Sequence, residues 1–199
     1  MIVTIGREHG SNGHSIALEL ARQLDYKCYD KEIVDHAAES SGCSKEIFDS
    51  YDEKKVSAYV VPSPHYIGMS EGFRLNMQIA TAQFDAIRRL ANKGNGIFVG
   101  RCADYVLRNR KDLVRVFIMA DNDFRIKTLM ERKELSADQA KKLMRQVDKD
   151  RASYYKYYTD QIWGETENYE LCIDSSRIGV HGAVAVIKAY MEARAAAEA

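Results

Sequence analysis

The chain has 199 residues, of which 46% are hydrophobic and 29% charged, a balance typical of a soluble globular domain. Lys plus Arg equals Asp plus Glu, so the formal net charge is zero and no overall field favours nucleic acid or anionic membrane. No apolar stretch reaches the length that crosses a bilayer, and the four cysteines form no Cys-x-x-Cys pair. We therefore expect a cytoplasmic domain with reduced cysteines that binds neither nucleic acid nor membrane.

The hydrophobic pattern alternates short apolar runs with amphipathic runs of helical period. Strands are predicted at residues 2–6, 27–29, 96–100, 113–119 and 169–174. Helices are predicted at residues 15–24, 31–39, 44–51, 70–92, 102–108, 121–131, 136–159 and 180–197. Residues 52–69 contain both prolines and predict a loop, whereas Ser136-Ala-Asp-Gln139 predicts a capping box. The alternation favours a parallel sheet covered by helices on both faces.

A glycine-rich loop joins the first predicted strand to the first predicted helix. Its residues, Gly10-Ser11-Asn12-Gly13, lie where backbone N–H groups and a helix N-terminus can converge on a phosphate. The match to the phosphate-loop consensus is partial, because Glu8 stands where the first glycine belongs and His14 where the lysine belongs. A glycine turn that binds nothing is the alternative interpretation.

Charged residues follow several of the predicted strands, at the edge of a parallel sheet where ligands bind. Arg7, Asp30 and Arg101 occupy three of these strand ends, with Asp104 one turn beyond Arg101. Arginines beside a phosphate loop would offer forked donors to phosphate oxygens. For Arg7, a structural salt bridge to Asp30 or Glu8 is equally compatible with the sequence.

The long helix beginning at Ser136 carries a second charged group. Asp148 and Arg151 share a face, and Arg145 lies a further turn back. One interpretation is a solvated face with weak ion pairs; the other is an arginine that closes over a phosphate and stabilises its transfer. The neighbouring tyrosines favour packing or a subunit contact over base stacking, and Asp121 after the fourth strand is interpreted as a helix cap.

Five motifs along the chain point together to one family. They are Thr4-Ile-Gly-Arg-Glu-His-Gly-Ser-Asn-Gly13, Tyr29-Asp-Lys-Glu-Ile33, Val99-Gly-Arg-Cys-Ala-Asp104, Asp148-Lys-Asp-Arg-Ala-Ser-Tyr-Tyr155, and Trp163-Gly with Asn168-Tyr-Glu-Leu leading into Ile173-Asp-Ser-Ser176. In this order they resemble the cytidylate kinase-like family, relatives of the P-loop nucleoside monophosphate kinases. The resemblance implies a single three-layer α/β/α P-loop NTPase domain with a five-stranded parallel sheet. It also implies a monophosphate-binding insert over residues 31–92 and a helical lid over residues 133–163.

The resemblance also assigns roles to residues. The ATP-binding residues it implies are Gly10, Ser11, Asn12, Gly13, His14 and Ser15, with Ser15 holding Mg²⁺, and Ser175 and Ser176 near the adenine. Arg101 and Asp104 match the acceptor region, to which the strand-end argument adds Arg7 and Asp30. The candidate catalytic residues are Arg151, Asp148, Arg145 and His14.

The activity implied is ATP- and Mg²⁺-dependent phosphoryl transfer to a small acceptor, a nucleoside monophosphate such as CMP or dCMP. The histidine at position 14 opens an alternative, because a neutral imidazole gives up the permanent charge of the phosphate-loop lysine. On that interpretation the protein is a nucleotide-binding sensor with little catalysis. A kinase of a non-nucleotide acceptor is a third possibility, and the sequence leaves the oligomeric state open.

Overall fold

The structure, a computed structural model, describes residues 1–41, 46–47, 53 and 71–197. Its strands are β1 (Ile2–Arg7), β2 (Lys27–Tyr29), β3 (Gly96–Val99), β4 (Leu113–Met119) and β5 (Leu171–Asp174). The helices are α1 (Gly13–Leu24), α2 (Lys31–Ser41), α3 (Glu71–Ala91), α4 (Ala103–Val106), α5 (Asn122–Lys133), α6 (Ala137–Thr159) and α7 (Ser175–Ala197), with a 3₁₀ turn at Thr166–Asn168. The predicted alternation of strands and helices is confirmed.

The five strands form one parallel sheet in the order β2-β3-β1-β4-β5. β1 is central, with Thr4 beside Phe98 of β3 on one side and Arg115 of β4 on the other. Because all strands run the same way, their carboxyl ends meet at one edge of the sheet. The glycine loop follows β1 at this edge, and Gly100-Arg101 follows β3 beside it.

Successive strand residues point to opposite faces of the sheet, and each face has its own core. Phe98 packs with Ile33 of α2 and Ile87 of α3 on one face. Ile97, its neighbour in the chain, packs with Leu20 of α1 and Ile187 of α7 on the other. All six side chains are fully buried. This arrangement confirms the predicted three-layer P-loop α/β fold.

Some predicted boundaries differ from the structure. Helix α1 begins at Gly13, two residues before its prediction, and α7 begins at Ser175, five residues before, with a break at Gly179 (φ 66°). The capping box of Ser136 and Gln139 is confirmed. The helix predicted at 44–51 and the loop predicted at 52–69 lie outside the described residues, apart from positions 46, 47 and 53. Across the described ranges, no helix combines the length and apolar character needed to span a membrane.

Candidate active site

The glycine loop after β1 adopts a backbone that side chains would obstruct. Gly10 has φ 87°, and a Cβ there would lie 2.8 Å from the carbonyl oxygen of Arg125. A Cβ at Gly13 would lie 2.4 Å from Cβ of Arg7. Asn12 adopts a left-handed conformation (φ 62°) immediately before α1 begins. The loop therefore brings the free N–H groups of the helix start to the ligand-binding edge of the sheet.

A buried ion-pair network holds the first part of this loop. Arg125 of α5 donates from Nε to the carbonyl oxygen of His9 (2.8 Å), and its Nη1 lies 3.1 Å from Oε1 of Glu8. Arg125 also pairs through Nη2 with Asp148 of α6, whose other oxygen accepts from the backbone N–H of His9 (2.8 Å). Glu8 further accepts from the backbone N–H of Ala120 at 3.0 Å. The network fixes the loop to α5, α6 and the end of β4.

Ser175 holds the second part of the loop from below. Its hydroxyl is fully buried and lies 2.6 Å from the carbonyl oxygen of Ser11 and 3.1 Å from that of Met119. Ser176 hydrogen-bonds through both its N–H and its hydroxyl to Oδ1 of Asp174. Ser175 thus supports the loop with a buried side chain, and the predicted contacts of Ser175 and Ser176 near the adenine stay predictions.

An open cleft with about 210 Å³ of free space lies above the glycine loop, and we call it the loop cleft. Its lining residues are Arg7, Glu8, His9, Gly10, Asn12, Gly13, His14, Asp30, Leu129, Arg132, Lys133 and Arg151. Arg132, near the end of α5, donates to Oδ1 of Asn12 (2.6 Å) and to Oγ of Ser15 (3.1 Å). Together with the neighbouring Lys133, it gives this cleft two exposed cationic side chains. Positive charge therefore stands at the loop although the consensus lysine is missing.

His14, which occupies the lysine position, is held by a carboxylate. Its Nδ1 lies 2.8 Å from Oδ2 of Asp30, at the end of β2. The other oxygen of Asp30 accepts from Nη1 of Arg101 at 2.6 Å. Burial alone would raise the pKa of the Asp30 carboxyl, but Arg101 beside it holds that pKa below its usual range. Asp30 thus links the start of α1 to the end of β3.

His9 is the other histidine of the loop, and it is kept neutral. Burial, with Arg151 as the next largest cause and further cations nearby, lowers the pKa of its imidazole from 6.5 to about 4. At neutral pH the side chain therefore adds no positive charge to the loop cleft. Its buried Nε2 has no hydrogen-bond partner among the described residues.

Three arginines converge on the carboxylate of Glu53 and form what we call the arginine cage. Arg7 donates from Nη1 to Oε1 (2.6 Å), Arg101 donates to the same oxygen from its backbone N–H (2.9 Å), and Arg151 donates from Nε to Oε2 (3.1 Å). Arg151 also donates from Nη1 to the carbonyl oxygen of Arg7 at 3.0 Å. Burial would raise the pKa of the Glu53 carboxyl, yet Arg7 and Arg151 hold that pKa far below its usual range.

The backbone after β3 shapes the cage. Gly100, Arg101 and Cys102 all have positive φ angles, 69°, 52° and 54°. A Cβ on Gly100 would lie 1.9 Å from Oε1 of Glu53 and 2.2 Å from Nη1 of Arg7. Left-handed backbone is costly for Arg101 and Cys102, so this turn stores strain that aims the Arg101 N–H into the cage.

A second, narrow cleft with about 20 Å³ of free space lies beside the cage and is called the tyrosine cleft. Its lining residues are Gly6, Arg7, Glu53, Gly100, Arg101, Cys102, Asp104, Arg151, Tyr154, Tyr155, Trp163 and Tyr169. The hydroxyl of Tyr155 lies 2.7 Å from Oδ2 of the buried Asp104, and burial raises the pKa of that carboxyl. The tyrosines are packed into the structure, as the sequence favoured. Arg7 and Arg151 line both clefts.

Most of the predicted site residues meet at this edge of the sheet. Arg7 pairs with Glu53 and with neither of its predicted partners. Of those partners, Asp30 pairs with Arg101 and His14, whereas Glu8 pairs with Arg125. Asp148 supports the loop through Arg125. Asp121 directly precedes α5 but makes no side-chain cap; it pairs with Arg177 at 3.3 Å. Arg145 is exposed on α6 and lines neither cleft, so its catalytic role stays a prediction.

Sequence reasoning missed four residues of the site, namely Glu53, Arg125, Arg132 and Lys133. Arg132 and Lys133 form a basic pair at the end of a predicted helix, and Arg125 lies one turn into the same helix after β4. That helix begins at the ligand-binding edge of the sheet, so its position could have indicated that all three residues belong to the site. Glu53 lies in a segment without hydrophobic periodicity and offers no such signal.

Oxygen ligands suited to Mg²⁺ are present at the start of α1. Mg²⁺ keeps several waters and binds substrate phosphates together with one or two protein oxygens, so it needs no dedicated cage of side chains. Within the described part of the chain, no cluster of three or more His, Cys, Asp or Glu side chains could hold a metal ion. Oγ of Ser15, which receives the Arg132 contact beside the loop, is an oxygen of the required type. The residues therefore fit a metal carried by nucleotide phosphates.

Comparison with known proteins gives one family and one fold. The sequence model of the cytidylate kinase-like family matches residues 2–177. An uncharacterized protein from Eubacterium ventriosum has a crystal structure that is similar with a TM-score of 0.73 and 28% identity, over 96% of this chain and 98% of that one. A search of curated proteins returned no match.

More distant solved structures share the fold. Shikimate kinase from Bacteroides thetaiotaomicron is 12% identical with a TM-score of 0.56, over 96% of this chain and 98% of that one. Deoxyadenosine kinase from M. mycoides, with the products dCMP and dCDP bound, is 14% identical with a TM-score of 0.50, over 97% of this chain and all of that one. At these identities the likeness establishes the P-loop kinase fold and leaves the acceptor open.

Proposed function

Because this chain belongs to the cytidylate kinase-like family, we propose that it transfers a phosphoryl group from ATP to a nucleoside monophosphate such as CMP or dCMP. One observation carries the proposal: the loop cleft and the tyrosine cleft meet at Arg7 and Arg151, which line both. A kinase needs a donor site and an acceptor site that share the space where the phosphoryl group passes. These clefts have that relation.

The loop cleft is the donor site in this proposal. N–H groups around Gly10–Gly13 bind the ATP phosphates, and Arg132 and Lys133 neutralise their charge from the opposite side. Ser15 is the proposed ligand of Mg²⁺, which would neutralise charge on the phosphates and orient them. Arg132 thus takes over the electrostatic contribution of the lysine that His14 replaces.

Arg7 and Arg151 act where the phosphoryl group is transferred. Phosphoryl transfer has little covalent chemistry for the protein to perform, so catalysis rests on positioning and on donors aimed at the developing charge. Arg151 fits this role because its guanidinium bonds to the backbone of Arg7 while its Nε points into the cage. No covalent intermediate on the protein is required.

The tyrosine cleft is the acceptor site in this proposal. Arg101 supplies a backbone N–H toward the cage while Asp30 fixes its side chain, and Asp104 offers a polar group held by Tyr155. The partly exposed ring of Trp163 would provide flat apolar surface for a base once the narrow cleft opens. A phosphate in the cage and a base in the cleft would account for both parts of a nucleotide.

The test is ADP release from ATP and Mg²⁺ with a panel of CMP, dCMP, UMP and AMP, against a control without acceptor. We expect strong stimulation by CMP or dCMP in the wild type and its loss in Arg151→Ala. Turnover that no nucleoside monophosphate stimulates would contradict the proposed acceptor and direct the search to other small hydroxyl or phosphate compounds.

One observation favours a second candidate, a nucleotide sensor with little catalysis. His14 is engaged by Asp30 rather than standing free for phosphates, so the consensus catalytic cation is absent from its usual position. A sensor binds ATP with micromolar affinity but turns it over with no acceptor in the panel. Calorimetry with ATP beside the turnover assay distinguishes the two candidates.

A further inference from the structure

The Glu53 carboxylate receives the set of contacts that a phosphate group would receive. Three N–H donors from Arg7, Arg101 and Arg151 approach its two oxygens at 2.6–3.1 Å. The side chains of Glu53 and Arg151 are each only 13% exposed and that of Arg7 10%. A buried set of converging, partly charged donors is the usual construction of a phosphate site.

The charges in the cage do not balance with Glu53 alone. The side chain of Arg101 has its own counter-ion in Asp30. Across the residues that the structure describes, Glu53 is the carboxylate that forms ion pairs with Arg7 and Arg151. Among the direct ion pairs of the described residues, one carboxylate therefore serves both buried guanidiniums, while Asp30 and Asp148 act on Arg7 and Arg151 from further away. A phosphate monoester, which carries close to two negative charges at neutral pH, would match both arginines.

The donors of the cage can also be reached by a ligand from either cleft. The absent side chain at Gly100 leaves the room in which Oε1 of Glu53 lies, as the 1.9 Å approach of a Cβ shows. Arg7 and Arg151 line the loop cleft as well as the tyrosine cleft. An anion that entered through either cleft would meet the same donors that now hold Glu53.

We propose that Glu53 is an internal competitor for the arginine cage, which the phosphate of the acceptor must displace before it binds there. The proposal rests on the proposed function only for the identity of the acceptor. Glu53 then acts as a built-in competitor: the apparent affinity for phosphate is reduced by the fraction of molecules whose cage is open. It also keeps Arg7 and Arg151 paired when no substrate is bound.

The test is calorimetric titration of the full chain with inorganic phosphate. In Glu53→Gln the neutral amide no longer competes for the arginines, so we expect phosphate to bind about tenfold more tightly or better than in the wild type. Phosphate should also raise the melting temperature of Glu53→Gln more than that of the wild type, since it replaces a missing counter-ion. Glu170→Gln is the matched control, because Glu170 makes a similar multiple contact with Arg115 outside the cage, and its phosphate affinity should equal the wild-type value.

A second variant covers the case in which Glu53→Gln does not fold. Glu53→Asp keeps the charge but is one methylene shorter, so it cannot reach Arg7 and Arg151 equally well. We expect its phosphate affinity to rise by less than that of Glu53→Gln but clearly above the wild type. Phosphate affinity that is unchanged or reduced in both variants would overturn the proposal.

One further titration assigns the phosphate to the acceptor. With a non-hydrolysable ATP analogue already bound, Glu53→Gln should still bind phosphate, because the donor phosphates lie over the glycine loop. Exclusion of phosphate by the analogue would overturn the acceptor assignment. None of these measurements needs turnover, so a protein that binds phosphate in the cage but phosphorylates no nucleoside monophosphate would disprove the proposed substrate and leave the cage assignment standing.

Discussion

The loop cleft and the arginine cage both gather positive charge, but in opposite ways. In the loop cleft, Arg132 and Lys133 are exposed at a helix end and contact only neutral oxygens or solvent among the described residues. In the cage, the side chains of Arg7, Arg101 and Arg151 are 3–13% exposed and each pairs with a carboxylate. Water screens the first group, whereas the second group must be neutralised by the protein itself.

The difference shows which charges serve stability as well as chemistry. A solvated arginine at a helix end can be lost with little effect on folding, so its contribution is confined to ligand binding. A buried arginine left without its partner is strongly destabilising. Substitutions in the two regions should therefore separate binding from stability, and each of the following predictions tests that separation.

The largest expected effect is the loss of catalytic rate when Arg151 is replaced. Arg151→Ala should lower kcat by about 10³-fold or more while changing the affinity for ATP by less than about threefold, because the side chain stabilises charge that develops during transfer. The measurement is steady-state kinetics with the best acceptor, together with calorimetry for ATP. Lys149→Ala, at an exposed position on the same helix, is the control and should keep wild-type kcat. Equal losses in kcat and ATP affinity would contradict the role.

The next effect is on stability. Asp30→Asn removes the carboxylate that lies 2.6 Å from the buried guanidinium of Arg101, so the free energy of unfolding should fall by about 3 kcal/mol in urea denaturation. The control is Asp160→Asn, which removes a solvent-exposed pair with Lys156 and should leave the urea midpoint close to the wild-type value. Similar changes in stability for the two variants would show that the ion pair between Asp30 and Arg101 is no more desolvated than the exposed one.

A smaller effect is expected from Arg132, and on binding alone. Arg132→Ala should weaken ATP binding by about tenfold, the value of one charge-assisted contact, and leave the urea midpoint unchanged. Lys127→Ala, exposed on the same helix away from the loop cleft, should bind ATP as the wild type does. Unchanged ATP affinity in Arg132→Ala would mean that the loop has no substitute for its missing lysine.

The smallest effect concerns pH. The pKa of His9 is about 4 in the folded chain against an ordinary value of 6.5. Between these two pH values the imidazole is therefore protonated in the unfolded chain but not in the folded chain. The free energy of unfolding should therefore fall as the pH drops from about 6.5 to about 4. Because His9 is partly exposed and solvent screens its charge, we expect His9 to account for a loss on the order of 1 kcal/mol by pH 5. His9→Gln should therefore show a flatter profile of melting temperature between pH 7.5 and 5. Identical profiles would contradict the assignment.

Much of the fold follows from local rules. The strands are short apolar runs between helices, and the glycine loop and the capping box have signatures that depend on a few neighbouring residues. Arg7, Asp30, Arg101 and Asp104 could be placed near one another because parallel strands end at one edge. The sheet order was not needed for that inference.

The pairing of charges could not be read from the sequence. Asp148 and Arg151 are one turn apart, yet Asp148 pairs with Arg125 of another helix and Arg151 with Glu53. Helical spacing gives the face of a side chain, but burial against a neighbouring element decides its partner. Glu53 lies 46 residues from Arg7 along the chain, and no local pattern specifies a contact over that distance.

Asp30 physically links the two proposed substrate sites. One oxygen of its carboxylate holds His14 at the start of α1, and the other holds Arg101 beside the tyrosine cleft. We expect a nucleotide that draws His14 away from Asp30 to change the contact of Asp30 with Arg101, and an acceptor that shifts Arg101 to change the contact of Asp30 with His14. By reciprocity, the factor by which a bound ATP analogue changes acceptor affinity must equal the factor by which the acceptor changes affinity for the analogue. A single carboxylate would therefore couple the binding of the two proposed substrates.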